Sequence, residues 1–293
     1  MDIGTSGNGK RALIAWFGVL LLFLYAPLLL LLVFSFNDNN LPVFPFKCCT
    51  TDAYEQFAAN DELKSSIVTS AKIAALSSVG AVLLGILASI VLVRRNFFGR
   101  GALSALLLSP LVVPYIALAI GLLIFFNEAA FPLGLRTIVM GHIVLAIPYT
   151  ILVLVPRLER LDVRLEEAAR DLGAGPLQTF RLITFPLLLP AIVSAFLVAF
   201  VLSFDEIVVA SFIAGDTTTF PLYLFSQLRF PTLLPQVIAV AVIVMAASVV
   251  ILLAAEVGRR VVERRIGAEL ATPAPTAAVA AGAAPAGVGG GGG

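Results

Sequence analysis

Polar and apolar positions in this chain are sorted into long blocks. Six apolar runs, near 12–36, 66–93, 102–126, 137–156, 185–214 and 236–257, are separated by polar segments. Crossing a hydrocarbon core of about 30 Å takes about 20 helical residues, and each run supplies that length. Lipid offers no partners to backbone N–H and C=O groups, and these Leu/Ala/Val-rich runs lack the alternation of barrel strands. The pattern predicts an all-α integral membrane protein with six transmembrane helices. Composition agrees: the 293 residues are 60% hydrophobic and only 13% charged, where a water-soluble domain would be about a quarter charged.

Two of the runs contain charge. Lys72 lies in the first turns of the second, where its long stem can carry the ammonium back to the outer interface. The run at 185–214 is overlong for one crossing and holds Asp205 and Glu206, so it is expected to tilt or break. An ionised carboxylate in hydrocarbon is costly, and intramembrane acids usually face a bundle interior or an aqueous cavity. Either acid can attract a cation there; the alternative is that both anchor the helix or bond to its neighbours. Consecutive helical positions point about 100° apart, so only one of the two is expected to line a path.

Basic residues orient the chain. Lys10 and Arg11, Arg94, Arg95 and Arg100, Arg157, Arg160, Arg164, Arg170 and Arg181, and Arg259, Arg260, Arg264 and Arg265 all fall on one side. The other side has Lys47, Lys64, Arg136 and Arg229, with Lys72 at its edge. The bias predicts cytoplasmic N- and C-termini. The formal net charge of +1 therefore hides a vertical asymmetry and gives no sign of nucleic-acid binding. No small-residue cleavage site follows the first run at "SFNDNN", so it is read as a retained anchor and not a secretory signal.

Three features are expected to be chemically silent. The run "GTSGNGKR" has the spacing of a phosphate loop through Gly4, Gly9 and Lys10, but Arg11 stands where Ser or Thr would hold magnesium. No strand precedes it. Cys48 and Cys49 are adjacent, and sequence neighbours rarely bond to each other, so they are read as two semi-buried loop thiols. From Ala268 the chain is an Ala/Pro/Gly tail that cannot bury a core. The predicted organisation is a cytoplasmic tail at 1–11, a six-span domain at 12–265 and a disordered tail at 266–293.

The longest polar connection, 157–184, is organised. In "LEEAARDLGAGPLQTFRLITFPLLLP", residues 165–190, Asp162 can cap a helix with the apolar stripe Leu165, Ala168 or Ala169, and Leu172. Gly173 and Gly175 can close it, and Pro176 can open a second short helix through Phe180 toward Ile183. Small residues on such a helix let another protein approach closely, while Glu166, Glu167, Arg170 and Asp171 fix its register and resist burial in lipid. A helix lying on the membrane is the alternative, but those usually show a bulkier apolar face and a cationic polar side.

This stretch resembles the EAA loop of membrane subunits of bacterial ATP-binding-cassette (ABC) importers. Glu167, Ala168, Ala169, Gly173, Ile183 and Pro186 fall on that pattern, with Phe185 in place of its Leu. Together with "LYAPLLLLLVFSFND", "LLLSPLVVPYIALAIGLL", "RLDVRLEEAARDLGAG" and "LSFDEIVVASFIAG", it is similar to the second permease of spermidine/putrescine importers over about residues 12–265. The resemblance implies a type I importer permease fold in a bacterial inner membrane, with a cytoplasmic coupling helix at those six residues. It further implies two ATP-binding ATPase subunits, a second permease and an extracytoplasmic substrate-binding protein as partners. ATP and magnesium would sit on the ATPases, and no cofactor on this chain. The outer segment 215–235, with Pro221, Pro231 and Pro235 at its turns, is the expected docking surface for the binding protein. Related permeases serve opines, thiamine or ferric iron, so cargo stays open beside polyamine.

The remaining polar and aromatic residues change little. His142 is expected to be an interfacial residue without an acid partner in its own span, and Glu128 a solvated loop residue. Phe125, Phe126, Tyr115 and Tyr149 can offer cation–π walls to an amine, although aromatics are common in membrane helices. A membrane-embedded enzyme would need a cluster of His, Asp, Glu or Ser that one histidine cannot supply. An autonomous secondary transporter or channel would be expected to repeat one half of its sequence or to carry acids in several spans.

Overall fold

The computed structural model describes residues 7–39, 44–230 and 234–271. Gly4 of the phosphate-loop-like run, Pro231 and the tail beyond 271 lie outside them. Among the described residues the regular secondary structure is helical, apart from one antiparallel bridge between Asn37 and Cys48. Four helices are long and apolar enough to cross a membrane, or five if one bent pair counts as a span. The chain divides into two units, Met1–Met245 and Ala246–Gly293. The second contains the latter part of helix α12, Leu234–Ala271.

The bundle of the first unit is built on α3 (Asp61–Arg94), α6 (Leu135–Glu159) and α9 (Phe185–Phe204). The buried face of α3 sets small residues, Ser66, Ser70, Ala74, Ser77, Ser78, Ala81, Gly85 and Ser89, among Leu63, Ile73, Val82, Ile86 and Leu92. Helices in lipid gain little from excluding water from one another, so close backbone approach and short polar contacts hold them together. The Ser77 hydroxyl donates to the Val139 carbonyl at 3.3 Å, and the Thr150 hydroxyl reaches the Ala81 carbonyl at 3.2 Å. A Cβ on Gly85 would overlap the Thr150 side chain. Gly85→Leu is therefore expected to push α3 from α6 at a cost of about 1–3 kcal/mol, measured as a lower unfolding temperature of the detergent-solubilised protein. The opposite face of α3, including Val68, Leu76, Val79 and Leu83, is exposed, and Lys72 lies on it.

The third apolar run is not the continuous helix expected at 102–126. Helix α4 (Arg100–Leu108) ends in a 3₁₀ turn at Ser109–Leu111, and α5 (Tyr115–Glu128) starts after a bend of 104°. Pro114 has no N–H to continue the ladder, and its ring disfavours helical backbone at Val113. The run at 185–214 does break, at 205–207, between α9 and α10 (Val208–Ile213). At its other end it is longer than predicted. Helix α8 (Pro176–Thr179), a π turn at Phe180–Thr184 and α9 form one helix from Pro176 to Phe204, so the expected second short helix is the start of this span.

Helix α1 (Gly7–Phe34) has a wholly exposed apolar window. The short α2 (Asp52–Ala59) follows the segment containing Cys48 and Cys49. Both cysteines are exposed and not semi-buried as expected. Helix α11 (Phe220–Gln227) packs Phe220 and Tyr223 against Leu63 and Val240.

Candidate functional site

The first candidate region is the polar connection. Helix α7 (Val163–Asp171) starts as its sequence dictates, with the Asp162 carboxylate accepting from the Arg164 N–H at 3.0 Å. It closes at Gly173, whose φ of +87° lies in the left-handed region; the Gly173 N–H reaches the Arg170 carbonyl at 2.9 Å, and the Ala174 N–H that of Ala169 at 3.0 Å. Gly175 has φ −71° and only leads into Pro176, so one glycine closes the helix and not two. Glu167, Ala168 and Gly173 are exposed and Ala169 is half-buried. Ile183 lies half-buried in the π turn, and Pro186 is exposed in the first turn of α9. The predicted apolar stripe does not turn inward: Leu165 is 47% and Leu172 89% exposed, and Leu177 at the start of the next helix is 78% exposed.

Glu166, read from sequence as one of the charges that resist burial, is buried instead. Its Oε1 accepts from Arg94 Nε at 3.3 Å, from an Arg94 terminal nitrogen at 3.1 Å and from the Thr184 hydroxyl at 3.1 Å. Arg170 lies 3.6 Å from its other oxygen. A charge that receives this many donors can be held away from water.

The second region is where the two broken runs meet. The first turn of α10 has unpaired backbone N–H groups, and Glu206 satisfies them: its two oxygens accept from Val209 and Ala210 at 2.9 and 3.0 Å. Glu206 is only 8% exposed. His142 is buried as well, which corrects its expected interfacial place. Its Nδ1 lies 2.7 Å from the Ser203 hydroxyl, and its Nε2 lies 3.3 Å from Glu206, within ion-pair range but off the line of a hydrogen bond. The histidine does have an acid partner, contributed by another span. These groups line a cavity of about 30 Å³ with Tyr115, Tyr149, Leu145 and Leu202, large enough for a water molecule.

Tyr115 opens α5 just after the 104° bend, and its hydroxyl lies 3.2 Å from that of Tyr149. Asp205 caps the end of α9 with an exposed side chain. The two acids thus divide: Glu206 is bound into the protein and Asp205 is free to meet solvent or solute. Phe126 is buried in the core while Phe125 and Glu128 are exposed, so the phenylalanine pair does not form one wall. Carboxylate oxygens, phenol oxygens and aromatic faces thus meet around this small cavity. Ser203 gave no signal in the sequence, because its role exists only once α6 and α9 are packed.

The fold is shared with a solved chain of a bacterial ABC transporter involved in import of the acidic polysaccharide alginate, at TM-score 0.69 and 15% identity over 86% of this chain and 98% of that one. It is shared also with a chain of the MetNI methionine ABC transporter, at TM-score 0.56 and 18% identity over 68% and 95%. At these identities the likeness is one of fold. Residues 81–267 match the family described as "Binding-protein-dependent transport system inner membrane component", and the chain belongs to that family. The putrescine transport system permease protein PotI of Escherichia coli (strain K12) is 39% identical over 207 residues, 68% of this chain and 73% of that protein. The spermidine/putrescine transport system permease protein PotC of Haemophilus influenzae is 34% identical over 201 residues, 69% and 78%. The chain is thus a multi-pass permease subunit of an ABC importer and not its catalytic component.

Proposed function

We propose that this permease carries polyamines, putrescine or spermidine, into a bacterial cell by alternating access driven by two partner ATPases. The observation that carries the cargo assignment is the 39% identity with a putrescine permease across most of both chains. In this reading α12 completes six spans within 12–265, and the tails 1–11 and 266–293 are cytoplasmic. Loop 157–184 then faces the ATPases, where Glu167, Ala168, Ala169, Gly173, Ile183 and Pro186 form the coupling element. The exposed Leu165 and Leu172 support docking, since apolar positions on a mixed-charge helix are suited to a protein groove. ATP and magnesium belong to the ATPases, with no cofactor on this chain. A second permease completes the path, and a substrate-loaded binding protein docks on the 215–235 side.

Asp205 and Glu206 mark the cargo path, with different roles. Asp205 meets the amine, and Glu206 holds the break open while adding negative potential behind Tyr115 and Tyr149. Asp205→Asn is expected to lower putrescine uptake by proteoliposomes about tenfold at limiting amine, equivalent to about 1.4 kcal/mol, with thermal stability unchanged. Normal uptake by both Asp205→Asn and Glu206→Gln would remove the acids from the path. Loss of binding-protein-dependent ATPase stimulation by polyamines, with stimulation by another solute, would reassign the cargo.

A further inference from the structure

Glu166 precedes the Glu167–Ala168–Ala169 run and belongs to no part of the pattern that identifies the loop. Yet it is the most heavily bonded side chain in the connection. Arg94 is the last residue of α3, and it gives Glu166 two nitrogens while its terminal nitrogen also lies 3.4 Å from the Leu161 carbonyl in the link between α6 and α7. Thr184 closes the π turn leading into α9 and gives Glu166 its hydroxyl. A π turn inserts an extra residue into the helical repeat and re-aims the side chains that follow; here it accompanies a Thr184 that faces α7. Three elements therefore meet at one buried carboxylate, α3, α7 itself and the root of α9, and Arg94 ties in the α6–α7 link through the Leu161 carbonyl.

We propose that Glu166 is the positioning residue through which α7 displaces the membrane helices. The exposed side of α7, with Glu167 and Leu172, is free for an ATPase, and the buried side is fixed by Glu166 to the ends of α3 and α9. A helix attached only by its flanking loops would swivel when pushed from below. A joint that is ionic to α3 and hydrogen-bonded to the root of α9 converts the same push into movement of the bundle. A buried carboxylate that loses its charge leaves Arg94 without its counter-ion, so the joint weakens even where the fold survives. The inference rests on the docking role given to α7 above.

The test uses the assembled transporter, with its ATPases and binding protein, in proteoliposomes. Glu166→Gln is expected to copurify with the ATPases in normal amount and to keep basal hydrolysis within about twofold. Amine transported per ATP hydrolysed should fall at least about tenfold, with Glu166→Asp recovering part of it. Arg94→Lys, which keeps the charge but not the two-nitrogen geometry, should show the same split more mildly, and Thr184→Val likewise. If a variant assembles poorly, the transport-to-hydrolysis ratio is measured on the complex that does assemble. A ratio equal to that of the unaltered protein in Glu166→Gln overturns the proposal. Replacing Leu172 by Asp on the exposed face separates the two levels: retained copurification there would overturn the docking role itself, whereas its loss beside a normal Glu166→Gln ratio would overturn only the joint.

Discussion

Gly173→Val is expected to abolish ATPase copurification and amine uptake while leaving membrane insertion intact. The reason is backbone geometry. Gly173 sits at φ +87°, and a Cβ there would meet no atom within 4 Å, so no clash is involved. The penalty is conformational: an L-residue in the left-handed region costs about 1–2 kcal/mol, with β-branched residues disfavoured further. To escape it, α7 would run on or unwind its last turn, moving Leu172 and the lead into Pro176. Asparagine tolerates the left-handed region, so Gly173→Asn should keep most of the activity. Equal damage from both substitutions would show that the residue acts by something other than its backbone. Deleting Glu167–Gly173 should match valine, and normal copurification and uptake in that deletion would refute the coupling role.

Glu206→Ala is expected to destabilise the permease by about 3–5 kcal/mol, the range for removing one partner of a buried ionic contact. Its loss leaves the N–H groups of Val209 and Ala210 without acceptors and His142 without its acid, all in a buried setting. The measurement is the yield of monodisperse protein on size exclusion after heating, beside Asp205→Asn as a control. The exposed Asp205 should change uptake without changing the thermal profile, and Glu206→Ala should lose both. A Glu206→Ala protein as stable as the original would show that the α9–α10 break does not depend on this carboxylate. The two acids are neighbours in sequence, but one is an internal brace and the other a surface group.

Local chemistry was legible in the sequence, and contacts between distant segments were not. Asp162 as a cap, Gly173 as a helix stop and Pro176 as a helix start each act over three or four residues, and the residues alone reveal them. Pro114 was an equally local signal, but hydrophobicity spoke for a continuous run at 102–126 and masked it. Glu166 was misplaced for a different reason. Its burial is set by Arg94, seventy-two positions away, and an isolated α7 would leave both glutamates in water. His142 fails in the same way: its acid partner lies on another span, beyond the reach of any pattern within its own helix. Gly175 was credited with a turn because it is glycine, although its backbone is extended.

The helix that runs from Pro176 through its π turn to Phe204 has a mechanical consequence. Its 29 residues make a lever about 43 Å long at about 1.5 Å per residue. A tilt of about 5° about its Pro176 end would carry Phe204, and with it the start of the gap at Asp205, sideways by about 4 Å on that length. That is about the width of an ammonium group with its first methylene. A modest rotation imposed at one end of this lever would thus become a displacement of molecular size at the other.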